Sequence, residues 1–206
     1  MSNLRLILFA LGIVFLLQGC SFLYGDPEPK GRDPVTDVSG VEEPWEVADI
    51  SAVNQDGEDW NVDQMEGQWW LTKTIFTRCP TVCMTMTPNM VALQDGILEN
   101  NLDVQIVSFT VDPDFDSPEQ LLEYADAYEA ELSNWQFVTG YSQDEIEDFA
   151  LKTFKLPVTR IPDQNDIAHP TRFFLVNPEG IIVRMYDGDA DFDLDASIAD
   201  LIDVVN

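Results

Sequence analysis

From Gln68 onward, short apolar runs alternate with capped, amphipathic stretches, and this order constrains the fold more than any other feature of the chain. Gln68–Phe76 (QWWLTKTIF) and Asp103–Val111 (DVQIVSFTV) are bulky, β-rich runs suited to a buried sheet. Between them, Pro88–Asn100 has helical spacing, with Met90, Leu93, Ile97 and Leu98 on one face. Ser117 caps a helix that Pro118 opens and Glu119–Glu131 continues. Trp135–Thr139 reads as a short strand, and Ser142 with Glu145 forms a capping box for a helix ending near Phe154. Asn177-Pro178-Glu179-Gly180 is a turn signal, so Arg172–Asn177 and Ile181–Tyr186 should pair as an antiparallel hairpin. Leu194–Val205 closes the chain as an amphipathic helix. Upstream, the runs Trp45–Val53 and Trp60–Val62 flank the turn Asn54–Gly57, an N-terminal β-hairpin extension. The expected fold class is α/β, a mixed sheet flanked by helices. In such sheets chemistry sits in the loops that leave the carboxyl ends of strands.

The first twenty residues have a different character. Arg5 and the amino terminus form a short positive region, Leu6–Leu17 is continuously apolar, and Gln18-Gly19-Cys20 follows. That is the grammar of a secretory signal, and the apolar core is short for a spanning helix, which needs roughly 20 such residues. Leu17–Cys20 resembles the lipobox of bacterial lipoproteins, which implies cleavage after residue 19 and a lipidated Cys20. The alternative is an uncleaved anchor from about Leu4 to Tyr24 with Cys20 inert. Either way the remainder is expected outside the cytoplasm, tethered to the cell membrane. Residues 20–44, rich in Pro, Gly and Asp after the cysteine, read as a flexible acidic stalk, so the globular domain is expected over 45–206.

Ten Lys+Arg against 38 Asp+Glu give a net charge of −28. Such a surface repels nucleic acid, whose affinity comes largely from basic contacts to phosphate. It suits a salty or alkaline exterior, or a docking face for basic partners.

Setting Cys20 aside leaves Cys79 and Cys83, in TRCPTVCMTM, directly after an expected strand. With helical spacing across i and i+4, their two thiolates would converge on one soft metal ion. A disulfide is the alternative in an oxidising exterior, yet a loop this small constrains the unfolded chain little. Redox or metal chemistry therefore fits better than a staple, and two cysteines are too few for a closed structural zinc site. His169, the only histidine, stands in a loop immediately ahead of the terminal hairpin.

Three blocks resemble the SCO/SenC family of copper proteins, which assist assembly of the dinuclear copper centre of cytochrome c oxidase. They are Thr77–Met90 (TRCPTVCMTMTPNM), Ser108–Tyr128 (SFTVDPDFDSPEQLLEYADAY) and His169–Gly180 (HPTRFFLVNPEG). The resemblance implies a thioredoxin-like fold and a copper ion held by Cys79, Cys83 and His169. Two thiolates and an imidazole suit copper, especially the cuprous state, and oxidation of the pair to a disulfide would release the ion. The implied partners are the copper-bearing oxidase subunit and a thiol reductant. A membrane-tethered thiol–disulfide oxidoreductase is the alternative function, so whether the chain is an enzyme stays open. Asp112, in the Val111-Asp112-Pro113 turn, is a candidate supporting carboxylate near the copper loop, or a turn-former. Arg78 would lower the neighbouring thiol's pKa or be solvated. The chain departs from the family at Thr81, where many members carry an acid, and at Met84, where many carry proline. Met84 and Met86 are expected to pack the domain rather than offer thioethers. Pro170 resembles the residue that thioredoxin-like proteins hold cis, facing the cysteines.

Overall fold

The computed structural model describes residues 33–80, 83–162 and 166–205, excluding the Cys83 side chain. The leader, the lipidation site Cys20 and the stalk up to residue 32 lie outside the described residues. The compact unit runs from Pro34 to Asn206. Its strands are β1 (Val35–Asp37), β2 (Ser51–Asn54), β3 (Asp59–Asn61), β4 (Trp69–Ile75), β5 (Val104–Thr110), β6 (Trp135–Thr139), β7 (Thr159–Ile161), β8 (Asp166–Ala168), β9 (Arg172–Val176) and β10 (Ile182–Asp187). Its helices are α1 (Cys83–Glu99), α2 (Pro118–Ala127), α3 (Gln143–Phe154) and α4 (Leu194–Val205).

Eight strands form one mixed sheet in the order β1-β10-β9-β4-β5-β6-β2-β3, and β7 pairs with β8 separately. β4, β5 and β6 run parallel, while β9 is antiparallel to both of its neighbours, β4 and β10. This is the expected thioredoxin-like mixed sheet. Strand alternation sends Leu71, Ile75, Ile106, Trp135, Phe173 and Leu175 to one face, where Met86, Met90, Leu93 and Ile97 of α1 and Leu121 of α2 complete a core. Trp70, Phe76, Val107, Phe109, Phe174 and Val176 line the other face under Ile146, Phe149 and Phe154 of α3. Fully burying each such side chain contributes about 1.5–3 kcal/mol.

Local signals placed the later elements closely. α2 and α3 both start with complete capping boxes, Ser117 with Gln120 and Ser142 with Glu145. β6 and α4 have the expected limits.

Four boundaries are corrected. The expected flexible stalk ends earlier, because Val35–Asp37 pairs antiparallel with Arg184–Tyr186 as the sheet's edge strand. The expected strand Trp45–Val53 is split. Trp45 and Val47 bond to Ile182 and Gly180 at the β9–β10 turn, whereas Ala52 and Val53 pair with β3 and β6 toward the other edge. One straight strand cannot serve both partners. α1 begins at Cys83, with Pro88 inside the helix rather than at its start; a proline that early forfeits one backbone bond without stopping the helix. Leu98, placed on the apolar face, is 41% exposed, and Met86 takes its place in the buried stripe. α2 ends at Ala127 instead of Glu131, closed off by a left-handed Glu129, φ 57°.

Candidate metal centre

β4 delivers the cysteine loop. Its last residues alternate, so Lys73 enters the α1/α2 side, where Nζ donates to Thr87 Oγ1 at 2.8 Å. Thr74 faces the opposite side, toward His169. After Ile75 the chain turns: Cys79 N–H donates to Phe76 O at 3.2 Å, and Cys79 is partly buried against the α3-side core. Cys79 thus sits in the loop ahead of α1, and Cys83 is the first residue of that helix. The two do not share a helical turn, which corrects the geometry inferred from i and i+4 spacing.

Two buried carboxylates fix the loop. Asp116 accepts from Thr77 N (3.1 Å), from Thr77 Oγ1 (2.5 Å) and from Thr110 Oγ1. Burial pushes the Asp116 carboxyl above its ordinary pKa, against the pull of these donors. Asp112, also fully buried, accepts from Arg78 Nε at 2.6 Å and from Arg160 Nη2 at 2.7 Å. Burial opposes its ionisation, but the two guanidinium groups outweigh that and lower its pKa. Its own carbonyl also closes the turn, accepting from Phe115 and Asp116 N–H. Asp112 therefore forms the turn and sets its carboxylate against Arg78 of the cysteine loop. Arg78 is not simply solvated: it is paired with Asp112 and lies 4.4 Å over the Phe115 ring.

The histidine arrives from the β7–β8 hairpin, whose last residue is Ala168. His169 Nδ1 lies 2.9 Å from Thr74 Oγ1 and 2.9 Å from its neighbour's carbonyl, Pro170 O. A carbonyl only accepts, so a hydrogen bond along this contact has Nδ1–H as its donor. Thr74 Oγ1 in turn donates to Pro170 O at 3.1 Å. In that tautomer the lone pair lies on Nε2, the arrangement metal-ligating histidines usually show. Phe76 meets the imidazole edge-on at 5.8 Å and 89°. One residue thus supports both loops: the Phe76 carbonyl closes the Cys79 turn, and the Phe76 ring steadies His169.

Arg160 makes a second connection. It belongs to β7, so the Arg78–Asp112–Arg160 chain links the cysteine loop to the histidine hairpin across a cleft of about 260 Å³ lined also by Phe76, Asp166 and Ile167. Among the described residues no three His, Cys, Asp or Glu side chains meet as a metal-binding group, but Cys83's side chain lies outside that description. No peptide bond among the described residues is cis, that of Pro170 included, so the likeness to a cis-proline does not hold. Met86 packs the core at 1% exposure as expected; Met84, at 67%, does not. The sequence pointed to neither Asp116 nor Thr74 nor Arg160. An acid three residues after a flagged Asp-Pro turn was the one available hint.

The SCO1/SenC family model matches residues 42–206. The chain belongs to the SCO1/SenC family. The SCO1 protein homolog of Bacillus subtilis strain 168 is 41% identical to it over 157 residues, 76% of this chain and 81% of that protein. A solved structure of BsSco, described as a member of the Sco family of cytochrome c oxidase assembly proteins with a disulfide switch, is 40% identical. It superposes with a TM-score of 0.71 over 77% of this chain and 92% of its own. Arabidopsis thaliana ScoI, solved with copper bound, is 25% identical with a TM-score of 0.65, over 76% and 95% respectively.

Proposed function

We propose that this chain carries one copper ion between Cys79, Cys83 and Nε2 of His169, and delivers it during assembly of the dinuclear copper centre of cytochrome c oxidase. One observation carries the proposal: Thr74 and Pro170 hold the His169 ring at Nδ1, and Phe76, the residue that closes the Cys79 turn, packs edge-on against it. The donor set suits the cargo, since thiolates favour the cuprous ion and an imidazole accepts either oxidation state. Copper-bound ScoI and the assembly role of BsSco support the same reading. The recipient is the copper-bearing oxidase subunit. The leader Met1–Gly19 and the Cys20 lipobox support a lipid-anchored, extracytoplasmic location, facing that recipient.

The disulfide switch in a relative 40% identical favours a second, compatible activity. Cys79 and Cys83 as a dithiol would reduce a disulfide on a partner protein. Two electrons and two protons pass to the partner, which leaves with two thiols while this chain closes the 79–83 bridge. The bridged form has no thiolates to hold copper, so exchange and release are coupled.

Titrating the reduced chain with copper separates the two activities. One equivalent should bind. His169→Ala should weaken binding by more than the roughly 10–100-fold that loss of a supporting group costs, while leaving disulfide exchange in place. Equal affinity and spectrum in that variant would remove the three-donor site.

A further inference from the structure

Arg78 and Arg160 flank the cleft between the cysteine loop and the β7–β8 hairpin, and one carboxylate fixes both. Fully buried Asp112 accepts from Arg78 Nε at 2.6 Å and from Arg160 Nη2 at 2.7 Å, and the same Nη2 donates to Gln143 Oε1 at 2.9 Å. Those bonds use little of what the two groups offer, since each guanidinium carries five N–H donors in a rigid fork. Among the described residues, neither Nη of Arg78 and neither Nε nor Nη1 of Arg160 has a hydrogen-bond partner. Asp114, 3.9 Å from Arg160 Nη2, is beyond hydrogen-bond reach. Two side chains that are 35% and 42% exposed are thus held in place by one acid, with donors to spare.

Such groups are scarce here, with ten Lys and Arg against 38 Asp and Glu. Among the described residues Lys73 is buried, and Arg172 and Arg184 are largely covered and paired with acids. Arg160 touches Gln143 at the start of α3, whereas Lys152 and Lys155 close that helix at its other end. The exposed cations beside the proposed copper donors are therefore Arg78 and Arg160. Phe76 forms part of the cleft wall, and its carbonyl closes the Cys79 turn while its ring meets His169. The Arg78 guanidinium also lies 4.4 Å over the ring of Phe115, itself 40% exposed. Aromatic residues and arginine are the types enriched where protein interfaces are anchored.

We propose that this cleft is the docking point for one carboxylate, an aspartate or glutamate side chain that the copper recipient presents near its own metal site. This rests on the delivery reading above. Local charge sets the number. Arg78 and Arg160 exceed Asp112 by one, whereas Asp166 in the cleft wall, Asp114 beside it and a chain of net charge −28 repel a polyanion. A single carboxylate accepts two parallel N–H bonds from one fork. Docked there, the recipient stands against the end of the sheet that carries Cys79 and His169.

The test is a double-mutant cycle on the complex between the full chain, reduced and loaded with one equivalent of copper(I), and the copper-free oxidase subunit, both in detergent. Arg160→Gln is combined in turn with the amide variant of each exposed acid around the recipient's copper site, and Kd is measured at low and high salt. Arg160→Gln should weaken the complex by roughly fivefold, one recipient variant should do the same, and the pair together should be no weaker than either alone. The salt dependence of Kd should shrink in step. Arg78→Gln, which leaves the hairpin's own arginine in place, is the second variant and should couple to the same recipient acid. If the arginines only hold the loops together, their loss adds to that of every recipient variant. Additivity throughout, with the wild-type pair binding, overturns the docking point and leaves the delivery reading standing. A wild-type chain that neither binds the recipient nor passes copper to it overturns both.

Discussion

The two loops that build the site are held by different forces. The cysteine loop is fixed by charge and by buried acids: Asp116 gathers Thr77 and Thr110, and Asp112 holds Arg78. The histidine loop is fixed by neutral contacts, Thr74 and Pro170 at Nδ1 and the edge-on Phe76 ring. The difference fits the function proposed above. There the thiolates would gain and lose protons, metal and a disulfide bond, so their loop would need anchors that stay put while its own charge changes. The imidazole would need only one tautomer and one orientation, which neutral hydrogen bonds can supply. The two systems touch at Phe76 and at Arg160 on Asp112.

Removing the acid that anchors the cysteine loop should have the largest effect. Asp116→Ala strands the half-buried Thr77 N–H and hydroxyl and the buried Thr110 hydroxyl, and leaving a buried donor unsatisfied costs about 1–3 kcal/mol before relaxation. A net loss of about 3 kcal/mol is expected, read from the urea midpoint of the reduced, metal-free chain. Wild-type stability in that variant would mean that the loop is held elsewhere.

The junction between the loops comes next. Asp112→Asn keeps the shape but removes the charge from a carboxylate gripped by two guanidinium groups. Arg78 and Arg160 are each more than a third exposed and can turn to water, so the cost should be about 2 kcal/mol or less at neutral pH. The pH dependence is the sharper measurement. Because the folded pKa of Asp112 is lowered, its contribution is complete above the ordinary carboxyl value of about 3.9 and is lost as pH falls through the folded value. Asp116, whose pKa is raised, acts in the opposite sense: it favours the folded state below the ordinary value, and that advantage is lost as pH rises through its folded pKa. The stability difference between wild type and Asp112→Asn should therefore shrink on acidification below about pH 4. A difference that stays constant would mean that the carboxylate charge is not what holds the junction.

The smallest effect belongs to the neutral side. Thr74→Val is nearly isosteric and suits a strand, so stability should move by about 1 kcal/mol at most. Copper affinity should nevertheless fall by about tenfold, as when other supporting groups of a metal-ligating histidine are lost. Unchanged copper affinity would show that Phe76 and Pro170 suffice to orient the ring.

Much of this was legible in the chain itself, for local reasons. The capping boxes at Ser117 and Ser142 and the Asn177–Gly180 turn act within a few residues, so the starts of α2 and α3 and the β9–β10 hairpin appeared where the sequence placed them. Met84 and Leu98 were misplaced because the phase of α1 depends on its start. That start was hidden by Pro88, which reads as a first residue and stands sixth. The segment from Trp45 to Val53 was misread because its two halves bond to opposite parts of the sheet, a choice made by distant partners.

The sequence by itself determined the alternation of strands and helices, the chemistry of the donors and the family to which the chain belongs, because period, capping and residue type are written in consecutive positions. Only the tertiary structure decided what holds those donors: Thr74 facing His169 across 95 residues, Asp116 reaching back to Thr77, and one buried carboxylate joining Arg78 to Arg160. Those contacts arise where the sheet brings the ends of β4, β5 and the β7–β8 hairpin together, and nothing local to any one segment specifies its partner.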